Sequence, residues 1–208
     1  LRVLVWHENV NDRLGGRPIA VTYCPLCHSA IVFDRRAGGE VREFGISGLL
    51  WNSNVLLYDR QEKASQESLW SQVGMRAVCG PAARRGLELE TLPSQLLSWR
   101  RWRSRHPKTT VLSAQTGYDR NYSRHPYRRY FRSDDLMFPV TSSRAQRRRF
   151  PDKEQMVVVR IGNRMKAYAV SDISTAAGQN GRITDSFAGA TIRFTPHGET
   201  EKVSVDLV

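Results

Sequence analysis

The sequence has no long apolar run. Its longest stretch free of Asp, Glu, Lys and Arg is residues 18–33, and that stretch contains Thr22, His28 and Ser29. A membrane-spanning helix needs about 20 mostly apolar residues, so no transmembrane segment is expected. Cysteine is scarce and odd in number, with Cys24, Cys27 and Cys79 alone, which excludes a fully paired disulfide framework within the chain. There is no second C-x-x-C and no H-x-x-x-H to close a structural zinc site. No G-x-S-x-G, Walker loop or Rossmann glycine pattern occurs, and Gly45-Ile-Ser-Gly48 does not fit a nucleophile elbow. The chain begins at Leu1 without Met and without a charged-then-apolar leader, so it reads as a fragment with its upstream sequence open.

What is present is ordinary globular material: 208 residues, 40% apolar and 25% charged. That length buries a core without staples. The net charge of +12 is unevenly placed. Residues 100–149 hold 14 basic groups against three acids, whereas 1–99 and 150–208 are nearly balanced. Such a segment suits an anionic partner, with Arg147, Arg148 and Arg149 as anion-binding candidates, or it is simply a solvated face. Specific nucleic-acid binding is disfavoured, because the basic stretch carries no reading motif.

Alternation predicts strands at 19–23, 30–33, 41–46, 54–58, 76–79, 155–161, 166–170 and 191–194. Gly38-Gly39 supplies a turn, so 30–33 and 41–46 read as a hairpin. One helix is expected over about 92–105. Thr91 caps it, Pro93 sits in its first turn, Leu92, Leu96, Trp99 and Trp102 share a face, and Pro107 ends it. Residues 117–150 show no period and read as an Arg-rich surface excursion. Residues 10–22 lie over 183–195 at a constant offset of 173, with Asp12/Asp185, Gly16/Gly189 and Thr22/Thr195 identical. The ends thus read as a degenerate repeat of a strand-turn unit. The expectation is a single α+β, β-rich domain over 1–208.

The sharpest chemical signal is Cys24-Pro-Leu-Cys27. Two thiols three residues apart can ligate a soft metal or cycle between dithiol and disulfide. The flanks read as strand and turn, which disfavours a thioredoxin arrangement with its cysteine at a helix N-terminus. Thiolates suit copper(I) and zinc. Cys24-Pro-Leu-Cys-His28 also fits the c-type haem pattern, but strand-like flanks disfavour haem. His7 and His106 are the candidate imidazole ligands for a site two thiolates leave incomplete.

Several runs carry a resemblance. Trp6-His-Glu-Asn-Val-Asn-Asp12, Val21-Thr-Tyr-Cys-Pro-Leu-Cys27, Val32-Phe-Asp-Arg35, Ser47-Gly-Leu-Leu-Trp-Asn-Ser53, Tyr58-Asp-Arg60, Ser68-Leu-Trp-Ser-Gln72 and His106-Pro107 stand in order along nearly the whole chain. Together they resemble the family catalogued as domain of unknown function 3179. The resemblance implies an extracytoplasmic setting and no particular reaction. Family members commonly have Gly or Asn where His28 stands, which counts against haem. Cys79 falls outside the family's motifs. The resemblance adds Glu8, Asp12, Asp59, Trp70 and Gln72 as supporting residues. The expected function is a Cys24–Cys27 site for transition-metal binding or thiol redox chemistry. The alternative is a non-catalytic module that contacts an anionic partner through its Arg-rich segment.

Overall fold

The computed structural model forms the strand expected at 19–23 over Arg17–Cys24, buried except at Arg17 and Val21. It describes residues 1–141, 149–178, 181–197 and 203–208. The chain divides into two compact units, Leu1–Leu96 with Thr110–Gln146, and Leu97–Thr109 with Arg147–Val208.

The first unit opens with a single helical turn, α1 (Leu4–His7), followed by β1 (Asn9–Leu14), β2 (Arg17–Cys24) and β3 (Ser29–Asp34). These strands and β10 (Thr91–Leu92) form an antiparallel sheet in the order β1-β2-β3-β10. A second antiparallel sheet runs in chain order through β6 (Phe44–Trp51), β7 (Asn54–Asp59), β8 (Leu69–Ser71) and β9 (Arg76–Cys79). Between them lies a short ribbon, β4 (Arg36–Ala37) with β5 (Glu40–Val41), and α2 (Pro81–Arg84) follows β9. Ala20 and Phe33 of the first sheet share one buried cluster with Phe44, Leu57 and Trp70 of the second. Strand period 2 explains the gradient along β2. Cross-strand pairs Ala20/Phe33, Thr22/Ile31 and Cys24/Ser29 follow one another along the same face. That face starts in the apolar core and ends, at the hairpin tip, in polar groups and thiols.

The tip is the turn Pro25–His28, closed by the Cys24↔Ser29 pair. His28 adopts φ 53°, a left-handed conformation that Gly and Asn take most readily. The Gly or Asn expected there from the family therefore has a backbone reason. A second tip, Asn52-Ser53, joins β6 to β7 with both residues at positive φ (50° and 60°). Gly48 (φ 76°) lies in the register shift of β6, so Gly45-Ile-Ser-Gly48 runs through an irregular strand. Ser47 Oγ donates to the Leu56 carbonyl at 2.6 Å.

Two expectations shift. Gly38 and Gly39 do form a turn (φ 65° and 87°), but the ribbon it closes is only two residues long on each side. β3 does not pair with 41–46; it lies between β2 and β10. The helix expected from about 92 starts later. Thr91 and Leu92 pair with Phe33 and Val32 and satisfy the outer edge of β3. Helix α3 spans Trp99–Arg105, and Ser98 takes the capping role, its Oγ accepting from the Arg101 N–H at 3.4 Å.

The second unit holds α3, the ribbon β11 (Met156–Ile161) with β12 (Arg164–Ala169), helix α4 (Val170–Ala177), and a meander of β13 (Ile183–Phe187), β14 (Ala190–Pro196) and β15 (Val203–Leu207). Its core centres on Ile173, Ile192 and Phe194. The repeat seen in the sequence is a repeat of register. Val10↔Val21 and Asp12↔Ile19 correspond to Ile183↔Phe194 and Asp185↔Ile192 at the same offset. The third strands keep it too, since Ile19↔Asp34 corresponds to Ile192↔Leu207. Gly15-Gly16 and Ala188-Gly189 make the two equivalent positive-φ turns. Where the first meander has Cys24, the second has His197, whose Nε2 lies 2.9 Å from Ser204 Oγ. Among the described residues, no helix is long and apolar enough to cross a membrane.

Candidate functional site

The two hairpin tips of the first unit meet at the thiols. β2 ends in Cys24, which is fully buried, and the turn carries Cys27 out to solvent. The two thiols lie close enough to shift each other's ionisation. Cys24 Sγ also lies 3.8 Å from the Ser53 carbonyl, supplied by the Asn52-Ser53 turn. Cys27 Sγ lies 3.0 Å from Ser29 Oγ, and the Asn54 amide donates to it at 3.2 Å.

Behind these groups stands a buried polar cluster. Gln72 Oε1 accepts from Ser29 Oγ and from Asn54 Nδ2, both at 2.9 Å. Gln72 Nε2 donates to Thr22 Oγ1 at 3.0 Å and to the Ser29 carbonyl at 3.3 Å. Thr22 Oγ1 donates onward to the Ile31 carbonyl at 2.8 Å. Asn54 Oδ1 accepts from the Val73 N–H at 3.1 Å. Gln72 and Asn54 are thereby fixed by partners on β2, β3 and the segment after β8, so the Asn54 donor arrives at Cys27 already oriented.

The thiols are electrostatically unequal. Hydrogen bonding from Cys24 brings the Cys27 thiol down to about 6; burial opposes this, and Ser29 and Asn54 reinforce it. Donation to Cys27 and burial push the Cys24 thiol far above the usual thiol range. Ser29 has one hydroxyl hydrogen and two acceptors. With Cys27 protonated, that hydrogen serves Gln72 and the thiol donates to Ser29. With Cys27 ionised, it turns to the sulfur, and Asn54 continues to serve Gln72. The cluster thus accommodates both protonation states.

Glu8 and three tyrosines surround the pair. Tyr127 donates to Glu8 Oε1 at 3.0 Å, and the Tyr130 hydroxyl donates to the Leu26 carbonyl inside the C-x-x-C turn at 3.2 Å. Burial raises the Glu8 carboxyl, and negative charge on Cys27 adds to the rise while Tyr127 opposes it. Tyr23 is pushed up to about 12 by burial and by the nearby thiols and Glu8. Tyr127 and Tyr130 rise for related reasons, burial first.

The remaining candidates from the sequence have other surroundings. His7 Nε2 lies 2.6 Å from the Tyr122 hydroxyl, and burial followed by the Arg120 charge lowers its pKa. Trp6 donates to the Arg124 carbonyl at 3.2 Å. The run Trp6-His-Glu8 is therefore where the Arg- and Tyr-rich excursion is pinned down. Asn9 and Asn11 both donate to the Phe44 carbonyl at 2.8 Å. Asp12 is exposed and accepts from the Arg13 N–H at 2.7 Å. Asp59 is fully buried, paired with Arg42, and accepts from the Ser68 N–H at 2.5 Å. Trp70 is core, edge-on to Phe44. His106 belongs to the second unit, with its ring 4.1 Å from that of Trp102. Arg147 and Arg148 lie outside the described residues, and Arg149 packs over Phe150. Among the described residues, no three His, Cys, Asp or Glu side chains are grouped so as to hold a metal ion. Ser29, Asn54, Tyr127 and Tyr130 were not singled out by the sequence; the polar Asn52-Ser-Asn54 run beside a strand was the one available hint.

The family model described as Protein of unknown function (DUF3179) matches residues 1–206. The chain belongs to this family. Its hallmark runs in this DUF3179 chain do two jobs. Val21–Cys27, Ser47–Ser53 and Ser68–Gln72 reach the thiol cluster, while Tyr58-Asp-Arg60 builds the buried ion pair behind it. No curated protein and no solved structure matches the chain.

Proposed function

We propose that this chain is a thiol–disulfide exchange protein in which Cys27 attacks and Cys24 resolves. The observation that carries the reading is the unequal setting of the pair: Cys27 is exposed, with the Asn54 amide donating to its sulfur and Ser29 Oγ 3.0 Å away, whereas Cys24 is fully buried; the lowered Cys27 pKa and raised Cys24 pKa agree with it. A Cys27 pKa lowered to about 6 favours the thiolate at neutral pH, while enough basicity remains for a good nucleophile.

The Cys27 thiolate attacks one sulfur of a substrate disulfide. A Cys27–substrate disulfide forms, the substrate S–S bond breaks, and the departing thiolate takes a proton. Cys24 then gives up its proton and attacks the Cys27 sulfur, and the second substrate thiolate leaves and is protonated. Two electrons pass from the protein dithiol to the substrate disulfide, and the two thiol protons end on the product thiols. The reverse sequence oxidises a substrate dithiol. Asn54 and Ser29 hold the Cys27 charge before attack and release it as the new bond forms.

Metal binding is the weaker form of the proposal. A tetrahedral zinc needs four donors, the thiol cluster offers two sulfurs among amides and hydroxyls, and Cys24 resists ionisation. The extracytoplasmic setting implied by the family belongs to the same proposal, since such compartments hold disulfide substrates.

The test is the pH dependence of alkylation followed by oxidation. Cys27 should alkylate with a midpoint near pH 6, far faster than Cys24. Mild oxidation should remove two hydrogens and join Cys24 to Cys27, and a small neutral disulfide such as hydroxyethyl disulfide should be reduced by the dithiol form. A midpoint in the ordinary thiol range, or failure to form the Cys24–Cys27 bond, would overturn the reading.

A further inference from the structure

Next to the turn of the C-x-x-C motif runs an open groove of about 750 Å³. Its lining includes Pro126 and Phe131, with Arg124, Arg128, Arg129 and Arg132 around them. The groove reaches the thiols through adjoining side chains. The Phe131 ring lies 5.5 Å from the ring of His28, the residue after Cys27. Tyr130, beside Phe131, is hydrogen-bonded to Leu26, the residue before Cys27. Trp6 and Glu8 hold the same segment at Arg124 and Tyr127. The groove wall is therefore fixed to the site.

The charge of this wall is not spent internally. Among the described residues, Arg124, Arg128, Arg129 and Arg132 form no ion pair, and all four are exposed. Four unneutralised guanidiniums within nine residues repel one another, an arrangement relieved by bound negative charge. Pro126 and exposed Phe131 add apolar surface between them. A purely ionic ligand has no use for that surface, whereas a polypeptide that alternates acidic and apolar side chains does.

We propose that the groove docks an acidic, cysteine-bearing polypeptide segment and presents its disulfide to Cys27. This names the substrate class of the exchange reaction and rests on the dithiol reading above. Arginine suits the task because its planar fork pairs two-fold with carboxylates. The gain is expected in association rate and partner choice, with a strong dependence on salt.

The experiment uses the reduced chain and three probes: hydroxyethyl disulfide, a disulfide peptide flanked by Glu, and one of equal length flanked by Lys. Single-turnover reduction of the Glu peptide should exceed that of the Lys peptide by about tenfold or more at low salt, and the two should converge at high salt. The double variant Arg128→Gln/Arg132→Gln should lose most of that preference and keep its rate with hydroxyethyl disulfide. Binding of the Glu peptide to Cys27→Ser, followed by fluorescence anisotropy, reads the groove without the chemistry. If hydroxyethyl disulfide is not reduced by the wild-type chain, the exchange reading fails, and anisotropy still decides whether the groove binds acid. If hydroxyethyl disulfide reacts but the two peptides do not differ, or the preference survives the double variant, the groove assignment is overturned. An oligonucleotide of equal charge that displaces the Glu peptide as well as excess Glu peptide does would overturn the polypeptide assignment.

Discussion

The Asn54 side-chain amide donates one hydrogen to Cys27 Sγ at 3.2 Å and the other to Gln72 Oε1 at 2.9 Å. The amide is thus committed in both directions before any charge appears on sulfur. A hydrogen bond to a charged group is worth about 1.5–3 kcal/mol, and one pKa unit corresponds to about 1.4 kcal/mol. Solvent at Cys27 replaces part of what is lost. Asn54→Ala should therefore raise the midpoint of Cys27 alkylation by about one unit, on the same conversion. A midpoint that stays put in folded Asn54→Ala would show that Cys24 and Ser29 carry the effect alone.

Folding stability should follow the same proton. Below about pH 6 Cys27 is protonated folded and unfolded, so it contributes nothing. Between there and the ordinary thiol value near 8.5, the unfolded chain binds a proton that the folded chain has released, so stability rises with pH. Above that value the sign reverses. Unfolded Cys24 ionises while folded Cys24, held far higher, keeps its proton. Urea unfolding of the reduced chain, measured against Cys27→Ser, should show an advantage that grows from about pH 6 to about pH 8. A flat difference across that window would contradict the lowered Cys27 pKa.

Glu8 works against the thiolate. Its carboxylate and the Cys27 charge repel, and burial already disfavours its ionised form. Glu8→Gln removes the charge and keeps an acceptor for Tyr127. The Cys27 midpoint should fall by a fraction of a unit. The variant should also be more stable than wild type at neutral pH, because the raised Glu8 pKa loses stability as pH rises past the unfolded value of about 4.3. Thermal unfolding at pH 5 and pH 7 checks the second expectation, and a variant destabilised equally at both would refute it.

The strands on either side of Cys24-Pro-Leu-Cys27 are legible because their evidence is local, but their pairing is not, since the Gly38-Gly39 turn points 30–33 to 41–46 instead. Alternation on both sides of Cys24-Pro-Leu-Cys27 implies a turn between two strands; that the strands pair with each other, with Cys24 opposite Ser29, is what the structure adds. Glu8 and Gln72 entered through family motifs, since neither lies in a pattern that betrays its partner. Asn54 and Tyr127 stayed hidden for a physical reason: their contacts span 27 and 119 residues, and only the meeting of two sheets and a docked excursion makes them. The helix boundary failed through the same blindness. Thr91 and Leu92 fit a helix start locally, but β3 offered them an edge to pair with. The repeat at offset 173 was readable because strand register and turn chemistry are set by the same few residues, Gly16 and Gly189 among them.

Asp59 separates the scaffold from the chemistry. Its carboxylate is fully buried against Arg42, whose guanidinium lies 5.5 Å from the centre of the Trp70 ring. Removing one member of such a pair leaves an uncompensated buried charge, at a cost of about 3–5 kcal/mol. Asp59→Asn retains an acceptor for the Ser68 N–H but takes away the buried partner of Arg42 and leaves it the exposed Glu40 at 3.1 Å, so a loss towards the lower end of that range is expected in urea unfolding. The double change Asp59→Leu/Arg42→Met removes both charges and should cost less than Asp59→Asn alone, because no charge is left buried without a partner. The alkylation midpoint of Cys27 should not move in folded Asp59→Asn, since the thiol's named partners are Cys24, Ser29 and Asn54. A shifted midpoint would place Asp59 in the thiol cluster rather than behind it, and an undiminished stability would mean that the Arg42–Asp59 pair is not what orders the core around Trp70.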